Sequence, residues 1–269
     1  MGMRLIQRCG ILAVALGCLG ILCGAARADG SPAGGALVWD INFSGAEIGA
    51  PVPVSGLTDA KMFASRDRGE AVPAPLTAFA TLDYVLPTRR ATVQTDLFGL
   101  AGRSCLVEVA PEDPGREVGQ SRGPRLSVYV PPAYRGAQRW RLSFDLAAPV
   151  RMQMGALYTD AFSLYFFSDG VLGMDAPGGG RVDICPYRPS QPVHLEIVGD
   201  RRQGTITFTA DRQPATALEL PWRGDPQAHA GDFSYLIVMG MSTGPHTSVG
   251  KFALGNLRLE SLDPPAPKG

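Results

Sequence analysis

The chain has 269 residues, and its 25 lysines and arginines balance 25 aspartates and glutamates, so its formal charge is zero. A chain without net positive charge offers no electrostatic footprint for nucleic acid or an anionic membrane, and we expect neither as a partner. The length fits one large domain, and no internal repeat divides it.

The first 28 residues predict a cleaved export signal. Two arginines precede an apolar segment, residues 11–22, that is too short for a membrane span. Ala26 and Ala28 place small residues at the two positions that a signal peptidase recognises, so cleavage is expected before Asp29. A lipoprotein signal ending at Cys18 is the alternative, although the apolar run continues past it. The pattern favours a periplasmic or secreted protein.

Cleavage would change both the charge and the cysteine count. The segment carries three arginines and no acid, which leaves 22 basic against 25 acidic residues and a formal charge of −3. It also carries three of the five cysteines, so Cys105 and Cys185 remain. An even pair in an oxidising compartment predicts a disulfide, and two buried free thiols are the alternative.

The rest of the chain predicts strands and no helix. Glycine and proline recur too often for helices of ordinary length, while β-branched and aromatic runs alternate between turn clusters. This pattern predicts an all-β, antiparallel two-sheet sandwich or barrel. The predicted strands are residues 36–43, 90–97, 105–110, 125–130, 139–148, 151–159, 161–168, 193–198, 205–210, 233–242 and 252–262.

One domain accounts for these strands. We expect it to span residues 36–262, after a flexible segment at 29–35 and before a proline-rich tail at 263–269. The segments 193–198 and 205–210 predict a hairpin with one apolar face and a charged turn between its strands. That hairpin indicates the fold and carries no functional motif.

The order of elements from residue 36 to residue 262 resembles the concanavalin A-like lectin and glucanase (laminin G-like) jelly rolls. The resemblance rests on "ALVWDINFSGAEIGAPV", "AFSLYFFSDGVLGM", "PVHLEIVGDRRQGTITFTADRQPATALELPW" and "GKFALGNLRLESL". The chain departs from the pattern at Val193, where tryptophan is frequent, at Arg212-Gln213 in place of Asp-Gly, and at Gly255-Asn256 in place of Asp-Asn. The resemblance implies a jelly-roll sandwich.

Two segments partly match a catalytic serine motif and a phosphate-binding loop, but their residues and surroundings do not fit either function. The segment "GMSTG" (240–244) has the G-x-S-x-G spacing, but Pro245 and a strand-like segment follow it where a helix is required. The segment "GPHTSVGKF" (244–252) has five residues between its glycines and a phenylalanine where a phosphate loop needs serine or threonine. Neither segment predicts catalysis.

Glycoside hydrolysis needs two carboxylates across one sugar ring. The resemblance implies an E-x-D-x-x-E type strand for the glucanase members, and no such strand exists here. Glu196 stands alone in its strand, Asp183 has no acidic partner, and Glu112-Asp113 are neighbours in a loop. Acids from distant strands leave hydrolase or lyase activity open as an alternative.

Metal binding has little support in the sequence. The three histidines and two cysteines after residue 28 show no ligand spacing. A structural calcium is implied only by the resemblance, near Asp40 in the first strand. Position 255, where the resemblance would place a second acid, is glycine. Asp169 and Asp175 flank a glycine turn and are more simply turn residues. No other cofactor is predicted.

Sugar binding requires an exposed ring face with a few polar partners. In the segment 161–168, alternation places Tyr165 and Phe167 on the face opposite the apolar one formed by Phe162, Leu164 and Phe166. A strand that is apolar on both faces is either buried on both faces or borders a binding surface.

Two further pairs lie in proline-rich connections and are candidates for the same surface. They are Tyr187 with Arg188, and Trp222 with Arg223. The alternative for each ring is packing in the core. The sequence thus favours an exported, non-enzymatic module that binds carbohydrate or another ligand outside the cytoplasm. A structural or adhesion module and a polysaccharide-active enzyme are the alternatives.

Overall fold

A computed structural model describes residues 35–52, 80–83, 89–109, 122–130, 134, 136–175, 180–219, 235–241 and 250–263. The predicted export signal, nearly all of the predicted N-terminal segment and the tail beyond Asp263 lie outside these residues. Within the described part of the chain, no helix is long and apolar enough to cross a membrane.

The regular structure of the described residues consists of strands joined by turns and loops. In chain order these are β1 (Ala36–Ile41), β2 (Ala80–Asp83), β3 (Arg89–Thr95), β4 (Arg103–Val109), β5 (Arg122–Tyr129), β6 (Arg139–Ala147), β7 (Met154–Thr159), β8 (Ser163–Phe166), β9 (Val171–Asp175), β10 (Arg181–Pro186), β11 (Val193–Asp200), β12 (Thr205–Ala210), β13 (Gln213–Glu219), β14 (Tyr235–Met241) and β15 (Gly250–Ser261).

The strands form two antiparallel sheets. The first sheet has the order β13-β12-β11-β6-β15-β4-β3, and β1 joins it by pairing with β15. The second sheet has the order β10-β9-β8-β7-β14-β5-β2. The predicted all-β, two-sheet jelly-roll sandwich is therefore confirmed.

Alternation along the central strands builds the core between the sheets. In β6 every second residue is buried, and the same is true of Leu195 and Ile197 in β11 and of Ile206 and Phe208 in β12. Burying one such side chain contributes roughly 1.5–3 kcal/mol. The β11–β12 hairpin has the predicted apolar face, and its turn is the segment 201–204.

The long strand β15 changes partner at a bulge. Residues 250–254 pair with β4, residues 257–261 pair with β1, and β6 lies along the other side of both halves. The change occurs at Gly255-Asn256, where Asn256 has a left-handed φ of 49°. This is one of the three positions at which the sequence departs from the pattern of the resemblance.

Some elements differ from their sequence predictions. Strands β2, β9, β10 and β13 were not predicted, and β8 is shorter than the predicted segment 161–168. It is shortened because the Thr159 hydroxyl accepts hydrogen bonds from the backbone N–H groups of Ala161 and Phe162, which makes a tight turn there. The two-residue turn between β12 and β13 is Asp211-Arg212, one position before the Arg212-Gln213 pair that the resemblance pointed to.

The predicted disulfide is wrong, because Cys105 and Cys185 are both buried free thiols. Cys105 lies in β4 of the first sheet and Cys185 in β10 at the edge of the second. Both side chains belong to the hydrophobic core, where cysteine packs as a small apolar residue. Burial raises the pKa of each thiol to about 12.

Candidate functional site

Strand β8 is buried on both of its faces. Phe162, Leu164 and Phe166 point into the core, as predicted. Tyr165 points to the other side, the outer face of the second sheet, and yet it is only 5% exposed. A residue on the outer face of a sheet can be this well covered only if neighbouring side chains pack over it.

Three rings gather on that outer face. The ring of Tyr165 lies 5.7 Å from that of Tyr158 at an angle of 88°, and 6.0 Å from that of Phe167 at 50°. The first pair has the edge-to-face arrangement that aromatic rings prefer, and the second pair is tilted. We call Tyr158, Tyr165 and Phe167 the ring cluster.

Glycines on both neighbouring strands make room for the ring cluster. Tyr165 is paired with Gly155 on β7 and with Gly173 on β9. A Cβ atom at Gly173 would lie 2.9 Å from the Phe167 ring and 2.7 Å from the Val182 carbonyl oxygen. The rings therefore lie over positions of the sheet that have no side chain.

A guanidinium covers part of the cluster. The Arg181 Cζ atom lies 4.2 Å from the centroid of the half-buried Phe167 ring, a cation–π distance. Arg181 Nη1 lies 2.7 Å from an Asp169 carboxylate oxygen, and its Nε donates to Asp183. The hydrogen bond from Arg181 holds the pKa of the exposed Asp169 below its ordinary value. The guanidinium is thus fixed in place from three sides.

The hydroxyl group of Tyr165 belongs to the same surface. Burial raises its pKa, a hydrogen bond with Tyr158 opposes that rise, and a hydrogen bond with Asp175 adds to it. The phenol therefore stays protonated at neutral pH and donates to a carboxylate. Asp175 itself is exposed at the end of β9.

The predicted site residues are only partly brought together. Tyr165 and Phe167 share the outer face, but Tyr187 is a core residue, 4% exposed, and the prediction that it contacts a ligand is wrong. Its hydroxyl accepts a hydrogen bond from Met152 N and donates one to Phe167 O, each at 3.0 Å. Arg188 is exposed in the loop that follows.

Two predicted residues, Trp222 and Arg223, lie outside the described residues. Sequence reasoning missed Arg181, together with the pairing of Asp169 and Asp183 to it. The signal that could have found Arg181 is its position directly after the glycine run 178–180, where "RVD" alternates into a strand.

A second polar array lies on the outer face of the first sheet. His194 Nδ1 on β11 lies 2.6 Å from Asp145 Oδ1 on β6, and Asn256 at the β15 bulge donates to the other oxygen of Asp145. The hydrogen bond with Asp145 raises the pKa of His194, while burial opposes the rise. Three adjacent strands are linked by this array.

The described residues offer few other candidates for a metal site or a ligand site. Among those residues, no three side chains of the metal-ligating types come together as a metal site. Of the calcium candidates, Asp169 has a guanidinium as its partner. A shallow cleft near Trp140 and Tyr134 has a cavity volume of ≈ 10 Å³, which holds about one water molecule and leaves no room for a ligand. The second-sheet surface is the stronger candidate.

No protein-family model matches the sequence, and no curated protein is significantly similar to it. Solved structures do match. A sialidase aligns at 13% identity with a TM-score of 0.50, over 69% of this chain and 17% of its own. The binding domain of botulinum neurotoxin serotype D aligns at 5% identity with a TM-score of 0.50, over 85% of this chain and 49% of its own.

A structure described as the conserved carbohydrate esterase of the Shiga toxin-encoding bacteriophage phi24B aligns at 12% identity with a TM-score of 0.51. That match covers 85% of this chain and 99% of the phage protein. The chain thus spans about a sixth of the sialidase and about half of the toxin domain. At these identities the likeness concerns the fold alone, which is an antiparallel two-sheet β-sandwich.

Proposed function

We propose that the protein binds carbohydrate at the outer face of the second sheet, where the Arg181 guanidinium rests on the Phe167 ring. That stacked pair is the observation that carries the proposal. It presents a planar donor group and an aromatic edge on one surface, with the carboxylates of Asp175 and Asp183 beside it as acceptors.

Sugars suit this combination because each pyranose has apolar C–H faces and a rim of hydroxyl groups. Rings take the C–H faces, and charged groups with fixed geometry take the hydroxyls. Because Asp169 and Asp183 already hold Arg181 in place, less side-chain freedom is lost when a ligand binds. The buried Tyr165 serves as a support beneath this surface rather than as a stacking platform.

At the level of the fold, the similar solved structures support the carbohydrate-binding proposal. A sialidase and a carbohydrate esterase are among the aligned structures, and both names refer to carbohydrate chemistry. Binding without catalysis is our proposal for this chain, because the Asp169 and Asp183 carboxylates are both bound to a guanidinium. The predicted export signal would deliver such a module to extracytoplasmic glycans.

A glycan array with the purified protein tests the proposal, and Phe167→Ala and Arg181→Ala are the matched variants. We expect binding of at least one glycan class, weakened at least tenfold in each variant. Arg202→Ala, which removes an exposed arginine on the first-sheet hairpin, is the control and should bind like the wild type. If no glycan binds, or if both variants bind unchanged, the proposed site is wrong.

A polysaccharide-active enzyme is the second candidate. The observation that favours it is the Tyr165 hydroxyl held between Tyr158 and Asp175, since a positioned phenol can transfer a proton. Incubation with polysaccharides, followed by assays for new reducing ends and for released acyl groups, tests this function. Turnover that disappears in Tyr165→Phe while glycan binding persists would establish catalysis.

A further inference from the structure

The charged groups around the ring cluster influence which sugars can bind there. This inference rests on the proposed carbohydrate site. Three carboxylates lie on or beside the outer face, those of Asp169, Asp175 and Asp183. Arg181 and Arg151 are among the cations there, and the Arg151 side chain packs against Gly170 in the β8–β9 turn. Two of the three carboxylates therefore flank the Arg181 guanidinium.

The positive charge of Arg181 is already compensated. Its Nη1 and Nε atoms face Asp169 and Asp183, and its flat face rests on Phe167. Asp169 remains ionised at neutral pH because Arg181 lowers its pKa. An acidic sugar would therefore meet carboxylates on both sides of the only guanidinium that touches the described ring cluster.

A neutral sugar meets the opposite situation. The remaining N–H groups of Arg181 can donate to one hydroxyl, and a free oxygen of Asp183 or Asp175 can accept from the next hydroxyl. An arginine beside a carboxylate matches a pair of adjacent hydroxyls, since each hydroxyl both donates and accepts. Such a pair satisfies every polar group without bringing in a further charge.

We propose that the site selects uncharged, hydroxyl-rich sugars over acidic sugars such as uronates and sialic acids, and that Arg181 with Asp183 determines this choice. The ligand class is a neutral glycan that carries adjacent equatorial hydroxyls. The edge of Phe167 contacts its apolar C–H groups, and Asp175 adds a second acceptor at the far end of β9.

The test compares matched oligosaccharides of glucose and of glucuronic acid with the same linkage and length. Binding of both to the purified protein is measured by calorimetry at 20 mM and 500 mM NaCl. We expect at least tenfold tighter binding of the neutral sugar at low salt. The difference should shrink at high salt, because salt screens the repulsion of the acid.

Variants locate the selectivity. Asp175→Asn with Asp183→Asn should raise binding of the acidic sugar at least fivefold, while Arg181→Met should weaken binding of the neutral one at least tenfold. Glu47→Gln removes one exposed carboxylate in the loop after β1, and should leave the ratio unchanged. Circular dichroism and melting temperature establish that each variant is folded.

The outcomes separate the two proposals. If the acidic sugar binds as well as the neutral one or better, the selectivity proposal is wrong although carbohydrate binding stands. If neither of these sugars nor any glycan on the array binds, the carbohydrate site itself is wrong. If the neutral sugar is preferred but the Asn and Met variants leave the ratio unchanged, the assignment to Arg181 and Asp183 is overturned.

Discussion

His194 on β11 and Asp145 on β6 lie 2.6 Å apart on the outer face of the first sheet, although 49 residues separate them in the chain. Their side chains are 44% and 17% exposed, respectively, so the pair is partly screened by water. The pair makes protein stability depend on the protonation of one imidazole.

The pH dependence follows from the raised pKa of His194. Because the folded pKa exceeds the ordinary value of about 6.5, the stabilisation is complete below that value and is lost as pH rises through the folded pKa. His194→Gln should therefore lower the free energy of unfolding by about 0.5 kcal/mol more at pH 5.5 than at pH 8.5, a value discounted for exposure. Denaturant titrations at both pH values measure this.

Proton NMR provides the direct check, because the His194 resonance should titrate above 6.5. Asp145→Asn should return that midpoint toward its ordinary value, although the carboxylates of Glu196 and Asp211 also raise it. A His194 midpoint at or below 6.5 in the wild type would contradict the geometry of the pair.

The β12–β13 turn predicts a stabilising substitution. Asp211 and Arg212 both have positive φ, 48° and 67°, which is the type I′ turn that favours glycine at its second position. Arg212→Gly should raise the free energy of unfolding by about 0.5–1 kcal/mol, because the left-handed conformation costs an L-residue energy. Arg202→Gly, in the β11–β12 turn, is the control and should bring no gain in a thermal melt.

The hydroxyl group of Tyr187 has a structural role that can be separated from binding. Tyr187→Phe would leave the buried Met152 N–H without its acceptor and should cost about 1–3 kcal/mol of unfolding free energy. Glycan affinity should stay within twofold of the wild type. If the variant instead lost glycan affinity while its stability stayed unchanged, Tyr187 would be a ligand contact.

Room for the ring cluster depends on Gly173. Gly173→Ala should cost about 1–3 kcal/mol, since its methyl group would lie too close to the Val182 carbonyl and to the Phe167 ring. It should also weaken glycan binding by moving Phe167. Gly136→Ala is the matched control, because nothing lies within 4 Å of the Cβ position there. Equal melting temperatures for the two variants would show that the close approach is absent.

The two thiols offer a chemical check on the core. With their pKa raised to about 12 by burial, Cys105 and Cys185 should stay unmodified by iodoacetamide at pH 8 until denaturant is added. Peptide mass mapping assigns the modification to each residue. Recovery of a peptide that joins the two cysteines would instead demonstrate a disulfide.

The fold was predictable from the sequence because alternation within a strand is a local property. Leu195, Ile197, Ile206 and Phe208 identify the inner face of a hairpin before any partner strand is known. The strands that escaped prediction, such as β9 and β13, are short or interrupted by glycine and polar residues, so their alternation is weak.

Only part of the candidate site was predictable from the sequence, because the site also depends on the register between paired strands. The position of Tyr165 on the outer face follows from its neighbours in sequence. That Arg181 reaches Phe167 and Asp169 depends on how β10 pairs with β9, and that pairing contains a bulge at residues 183–185. The disulfide prediction failed for the same reason, since cysteine spacing does not reveal on which sheet each residue lies.

The pairing of Ala36 with Ser261 places the beginning of β1 and the end of β15 side by side. The first and last strands of the described domain therefore lie next to each other at their outer ends. A short peptide could join residues 36 and 261, so that the chain is circularised or reopened at a surface turn such as 201–204. The same adjacency suits the domain to insertion within a loop of a host protein, because both connections would leave from one corner.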